Sequence, residues 1–291
     1  MIAITAHSRT TGDPMPASTS MPASAPTPTS TSAPARRRLA PALLGGAALA
    51  AVAAVGVAAP PAAAVRGGAP ATVGEAPFAV LIKNPDAAEG PDSTWCGGTL
   101  VAPDKVLTAA HCVSNAPRPT ALTVVGGRTD RLSTAGRERR VTRASLDPKY
   151  NHDLVHDAAV LTLDRPLPYK PLRVAKDGDA ALYANGRTAT VYGWGHTSGD
   201  TQGRKLRKAT LTLSPLAACE PFSDTTDTTL KVCGTSAKGR SDSICSGDSG
   251  GPLVADGVLI GIVSTGNKYC DATYPVSVFT KVSTVAPELG L

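Results

Sequence analysis

From residue 78 onward the chain is a series of short apolar runs separated by turn residues. Phe78–Ile82, Gly98–Val101, Lys105–Ala109, Leu122–Val125, Ala158–Leu163, Thr188–Tyr192, Leu253–Val254, Val258–Val263 and Val276–Val282 are rich in β-branched or other apolar residues. Such runs predict strands. Asp256-Gly257 separates two of them, and both residue types tolerate the positive φ of a two-residue hairpin turn. Helical periodicity is scarce. The best stretch, Ser283–Leu289, contains Pro287, whose ring and missing N–H weaken a helix. Regularly spaced strands without intervening helices predict an all-β sandwich or barrel, not a parallel α/β sheet.

The first 64 residues follow different rules. Residues 1–35 are dominated by Ser, Thr, Pro and Ala and cannot bury enough apolar surface to offset the entropy of ordering. Arg36, Arg37 and Arg38 come next, then the uncharged stretch 39–59, then Ala62-Ala63-Ala64. A basic cluster, an apolar run and a small-residue site predict a secretory signal cleaved before Val65. Met15 and Met21 are alternative starts inside this leader. The stretch 39–59 is long enough to span a bilayer. Its Ala and Gly content, Pro41 and the cleavage site favour removal. The product expected is secreted and extracellular, with no stable membrane anchor.

Charge narrows the partners. The leader carries four arginines and one aspartate, so its loss lowers the formal net charge from +6 to +3. Arg128, Arg131, Arg137, Arg139, Arg140 and Arg143 form a basic stretch without interleaved aromatics. That pattern predicts a solvated loop and argues against a nucleic-acid surface. All six cysteines lie after residue 95. In an exported chain they imply three disulfides, in a connectivity that spacing alone leaves open.

The sharpest candidate chemistry is Gly247-Asp248-Ser249-Gly250-Gly251-Pro252. A Ser between small neighbours suits a nucleophile on a tight turn, where a carbonyl can approach the hydroxyl and nearby N–H groups. A free hydroxyl is a weak nucleophile and needs an adjacent base. A hydrolase built on an α/β sheet places that base after the Ser, but no His follows Ser249; the last is His196. The base therefore precedes it. His111 ends an apolar run beside Cys112, whereas His152, His156 and His196 sit in polar surroundings. Asp157 heads the run Ala158–Leu163, at the mouth of a buried strand, where a carboxylate can be desolvated and orient an imidazole. Asp153 is the competing acid, farther from that strand.

Thr108-Ala109-Ala110-His111-Cys112, Asp157 before an apolar strand and Gly247-Asp248-Ser249-Gly250-Gly251-Pro252 together resemble the chymotrypsin/trypsin family of serine endopeptidases, in the order His, Asp, Ser. Trp95-Cys96-Gly97-Gly98-Thr99-Leu100, Gly193-Trp194-Gly195 and Ser264-Thr265-Gly266 are similar to further motifs of that family. The resemblance spans nearly all of 65–291. It implies two six-stranded antiparallel β-barrels packed together with a short C-terminal helix, the active site lying between them. The halves fall at roughly 65–175 and 176–291. It further implies disulfides Cys96–Cys112, Cys219–Cys233 and Cys245–Cys270. Ser249 is then the nucleophile, His111 the base and Asp157 its orienting acid, with the N–H groups of Gly247 and Ser249 as oxyanion hole. No cofactor or metal is called for. The implied partners are protein or peptide substrates and protein inhibitors, met by a monomer.

The resemblance also implies a latch and a pocket. Val65-Arg66-Gly67-Gly68 is similar to the family's mature N-terminus, whose ammonium pairs with the Asp before the nucleophile, here Asp248. Arg66 replaces the usual apolar residue. Counting back from Ser249 without a gap puts Ser243 at the pocket floor, with Gly266 and Ser277 on the walls and Ser264 on the strand that pairs with substrate backbone. A neutral floor implies a chymotrypsin-like preference. The alternative is a floor formed by Asp242, which would select Lys or Arg. A non-catalytic binding module on the same fold is a further alternative, disfavoured by the intact set of three residues.

Overall fold

The computed structural model describes residues 65–85, 95–116, 118–197, 203–223, 225–267 and 269–291. The expected leader and signal lie outside these residues. In chain order the strands are β1 Ala69–Pro70, β2 Ala79–Lys83, β3 Trp95–Ala102, β4 Lys105–Thr108, β5 Thr123–Gly126, β6 Arg137–Leu146 and β7 Ala159–Leu163. They continue with β8 Arg173–Val174, β9 Thr188–Gly193, β10 Arg207–Ser214, β11 Lys231–Ser236, β12 Pro252–Ala255, β13 Val258–Gly266 and β14 Val276–Lys281. Two short helices, α1 Ala110–Ser114 and α2 Val282–Glu288, complete the elements the site and the C-terminus use.

Six strands close the first barrel in the order β2-β3-β4-β7-β6-β5. The second runs β9-β10-β11-β14-β13-β12 and closes through antiparallel pairing of β12 with β9. Closure removes the unpaired edges that an open sheet presents. The apolar runs supply the interiors: Leu81, Leu100, Leu107, Val124 and Leu161 in the first barrel, and Val191, Leu211, Leu253, Leu259 and Phe279 in the second, are all nearly or completely buried. Asp256 and Gly257 adopt φ 48° and 73° between β12 and β13, making the hairpin their residue types favour. The helix α2 includes Pro287 one residue from its end, where few intrahelical bonds are lost. Disulfides join Cys96 to Cys112, Cys219 to Cys233 and Cys245 to Cys270.

The solvated-loop expectation for the arginines does not hold. Arg137–Leu146 is a ten-residue strand paired with β5 along its first half and β7 along its second. Its outer face is wet, so the apolar alternation that marks a strand is missing, and cross-strand pairing alone sets its conformation. Arg128 and Arg131 are buried, not solvated. The Arg128 Nε donates to the Ala135 carbonyl at 2.7 Å and the Arg131 Nε to the Gly203 carbonyl at 2.6 Å. Strands β10 and β11 lie outside the expected runs, although Ala209, Leu211 and Leu213 alternate inward along β10.

Phe279 is fully buried on β14 and packs against Gly261 of the neighbouring strand. Phe279→Ala is expected to destabilise the protein by about 3–5 kcal/mol. A lower urea midpoint with an unchanged denaturant slope is the measurement that checks it.

Candidate active site

Strand pairing assembles the site. Thr108, the last residue of β4, pairs with Ala159, the first of β7. The segment leaving β4 and the segment entering β7 therefore meet, which brings His111 on α1 to Asp157. The Cys96–Cys112 bridge pins α1 back to β3. Asp157 is completely buried. Its Oδ1 accepts the His111 backbone N–H at 2.9 Å and its Oδ2 lies 2.8 Å from His111 Nδ1. The Ser264 hydroxyl on β13 donates to the same Oδ2 at 2.7 Å. Burial works to raise the Asp157 carboxyl, but the His111 side chain, its charge and N–H, and the Ser264 hydroxyl outweigh it and hold the group below its ordinary value. Asp153 is exposed and caps the Val155 N–H in its own turn.

Ser249 lies on the loop before β12, in the second barrel. Its carbonyl accepts the Gly97 N–H from β3 at 2.7 Å, so the loop is fastened across the crevice to the first barrel. Asp248, Gly250 and Gly251 donate their N–H groups to Cys245, Val263 and Asp248 carbonyls. Among the described residues, Gly247 and Ser249 donate theirs to no protein acceptor. Two unengaged donors beside a hydroxyl are the equipment of an oxyanion site. Ser249 Oγ and His111 Nε2 are not hydrogen bonded in this geometry, as is common where that contact tightens once substrate fills the cleft.

A cleft of about 150 Å³ opens beside Ser249, lined among others by Ile244, Ser246, Ser264, Thr265 and Gly266. The family model for Trypsin matches residues 65–288. The chain is 39% identical over 204 residues to a trypsin from Saccharopolyspora erythraea, covering 69% of this chain and 86% of that one. It is 37% identical to a chymotrypsin from Phaedon cochleariae, covering 68% and 71% of the two chains. The chain belongs to the trypsin family of serine endopeptidases. A trypsin-like protease from Streptomyces glaucescens is 33% identical over 78% of this chain and 81% of its own. Among solved structures, a scabies mite inactivated protease paralogue superposes with a TM-score of 0.65, at 20% identity, over 78% of this chain and 96% of that one, and shares its fold.

The cleft differs from the pocket inferred by counting residues. Ser243 and Ser277 do not line it. Ser243 is buried with its hydroxyl unpartnered and its N–H bonded to the Arg66 carbonyl, while Ser277 Oγ accepts the Ile244 N–H at 3.1 Å. Ile244 faces Gly266 across the cleft so closely that a Cβ at 266 would sit 3.2 Å from its Cδ1, tighter than an ordinary van der Waals contact. Asp242 is buried but turns away, its carboxylate paired with the Arg240 guanidinium and packed against Gly67. Ile244 was missed because a family-based count directs attention to the floor, not to the residue after it. Ser264 and Gly266 do border the cleft.

Asp248 is fully buried, wrapped by Gly193 and Gly195, and accepts N–H bonds from Gly195 at 2.8 Å and Cys245 at 2.9 Å. Burial, only partly opposed by those bonds, pushes its carboxyl up to about 7. Val65 is buried as well. Its segment is held at Ser243 by the Arg66 carbonyl, at Ser241 by the Arg66 side chain and at Gly67 by Arg240. The unexpected Arg66 is therefore bonded in place, not merely tolerated. Cys96, His111 and Cys112 cluster closely, but both sulfurs are committed to their disulfide, so the trio is not a metal-ligand set.

Gly250 has φ +79°, and a Cβ there would sit 2.2 Å from Thr108 Oγ1 and 2.5 Å from the Gly97 carbonyl. Gly250→Ala combines left-handed strain with a backbone clash. A stability loss of at least about 2 kcal/mol is expected. Gly178→Ala, whose added methyl meets open space, should leave the urea midpoint nearly unchanged.

Proposed function

We propose that the chain is a secreted serine endopeptidase that uses Ser249, His111 and Asp157, prefers an apolar residue before the scissile bond, and becomes active when its leader is removed at Val65. The observation that carries the catalytic part is a buried Asp157 gripping His111, with Ser249 on a loop that is fastened to the same barrel at Gly97 and offers two unengaged N–H groups. In the template mechanism of this family, Ser249 Oγ attacks the carbonyl carbon while His111 Nε2 takes its proton. The C–N bond breaks as that proton passes to the leaving amine, giving an acyl-enzyme. Water then gives a proton to His111 Nε2 and attacks the acyl carbon; the bond from that carbon to Ser249 Oγ breaks, the acid product leaves, and Nε2 returns the proton to Oγ. Asp157 accepts the Nδ1–H, so Nε2 stays available as the acceptor. The Gly247 and Ser249 N–H groups meet the oxyanion, and losing one such donor costs about 3 kcal/mol of transition-state stabilisation in related chemistry.

Ile244 and Gly266 favour an apolar side chain in the cleft. With Asp242 neutralised by Arg240 and turned away, a Lys or Arg there would be buried without a counter-charge, which is costly. Wild type and Ser249→Ala should be compared on peptide anilides differing only in the P1 residue. Hydrolysis should fall at least about a thousandfold in the variant. Leu or Phe at P1 should exceed Arg by at least about tenfold in kcat/KM. Equal, negligible rates for wild type and variant would make the chain a non-catalytic module. Arg preference would overturn the pocket reading alone.

In a chain that continues before Val65, its nitrogen is a peptide amide and brings no charge to Asp248. A carboxyl raised to about 7 binds a proton in the folded state that the unfolded state releases above about pH 4. Folded stability should therefore decline from pH 4 towards pH 7, by up to about 1.4 kcal/mol per pH unit. A chain beginning at Val65 supplies an ammonium and should lose that slope. Urea unfolding of the two forms across this range tests the latch; parallel curves would refute it.

A further inference from the structure

Lys231 is the least expected charge in the molecule. It opens β11 at 2% exposure, between Leu230 and Val232. Burying an ammonium is costly unless its protons are bonded. Its Nζ donates to the Leu154 carbonyl, to Ser264 Oγ at 3.0 Å and to Thr280 Oγ1 at 3.3 Å. Two of these partners lead directly to the acid of the active site. Leu154 belongs to the loop that carries Asp157, and its φ of 65° is strained for a leucine. Ser264 is the residue whose hydroxyl reaches Asp157.

The direction of these bonds follows from their chemistry. An ammonium donates and cannot accept, so Ser264 Oγ must accept from it. The serine's own proton is then free to point to Asp157 Oδ2 at 2.7 Å. Without Lys231 the hydroxyl could rotate, and the carboxylate would lose one of the donors that keep it ionised. We propose that Lys231 is a positioning residue for the reaction: it locks the Ser264 hydroxyl as a donor to Asp157 and ties the Asp157 loop of the first barrel to β11 of the second. This rests on the catalytic reading given above.

Among the described residues, the charged and titratable groups along this relay include His111 on α1, Asp157 before β7 and Lys231 on β11. Strands β13 and β14 add the neutral hydroxyls of Ser264 and Thr280. His156, next to Asp157 in the chain, lies 3.6 Å from Asp147 instead. The Ser264 hydroxyl is among the groups that hold the Asp157 carboxyl below its ordinary value, so releasing that hydroxyl should raise Asp157 and, with it, the acidic limb of the pH profile.

The test uses the mature enzyme and a peptide anilide of the preferred P1 type. Lys231→Met, similar in length but unable to donate, should lower kcat about tenfold or more with KM within about twofold. The acidic limb of kcat/KM should move up by about half a pH unit or more. Lys231→Gln, which keeps hydrogen bonding but not charge, should fall between the two and carries the test if the Met variant does not fold. In a Ser264→Ala background the effect of Lys231→Met should shrink at least severalfold, since its route through the hydroxyl is gone. An unchanged kcat and acidic limb in a folded variant, or an undiminished effect without Ser264, would overturn the proposal. Loss of Ser249-dependent hydrolysis in the wild type itself would instead refute the catalytic reading.

Discussion

A carboxylate sealed from water must have its oxygens satisfied by the protein, and Asp157 recruits both barrels to do so. His111 contributes its ring and its N–H from the first barrel; Ser264 contributes its hydroxyl from the second. The crevice between the barrels is thus closed by bonds to one buried charge. The Gly97 N–H to Ser249 carbonyl bond adds a second fastening across the same line. A shift of one barrel against the other would leave a buried anion short of donors, a far larger penalty than the loss of an exposed contact.

The second buried acid is in the opposite condition. Asp248 has two N–H donors and lies close-packed among glycines. Those donors do not offset its burial, so it favours its proton where Asp157 rejects one. The contrast is one of counter-charge: an imidazole faces Asp157, while among the described residues Asp248 accepts only backbone N–H groups. That imbalance is what a nearby ammonium would correct. Arg66 and Arg240 clasp the segment Val65–Gly68 to the second barrel, through the Ser241 and Gly67 carbonyls. The third acid, Asp242, has its cation already in Arg240. It is therefore spent on holding the N-terminal segment and leaves the neighbouring cleft neutral.

Much was legible in the residues themselves. Apolar runs of strand length, the Asp-Gly hairpin and the order His, Asp, Ser are local signals, and each reflects a constraint a short segment imposes on its own backbone or chemistry. Strand β6 was illegible because its arginines face water and only pairing with β5 and β7 makes it a strand. Lys231 was passed over because one cation in an apolar run has no meaning until its partners are known. A charge inside a strand-length run beside Cys233 was the available signal.

The sequence by itself determined an all-β chain with a serine, a histidine and an aspartate in a usable order. Patterning and residue chemistry act over a few positions, so a single strand of text carries them. Tertiary structure decided which way Asp242 points, that Ile244 borders the cleft in place of Ser243, and that Lys231 reaches Asp157 through Ser264. Those outcomes depend on side chains brought together from distant strands in a close-packed interior. There, rotamer choice and partner identity are set by the neighbours and not by the residue.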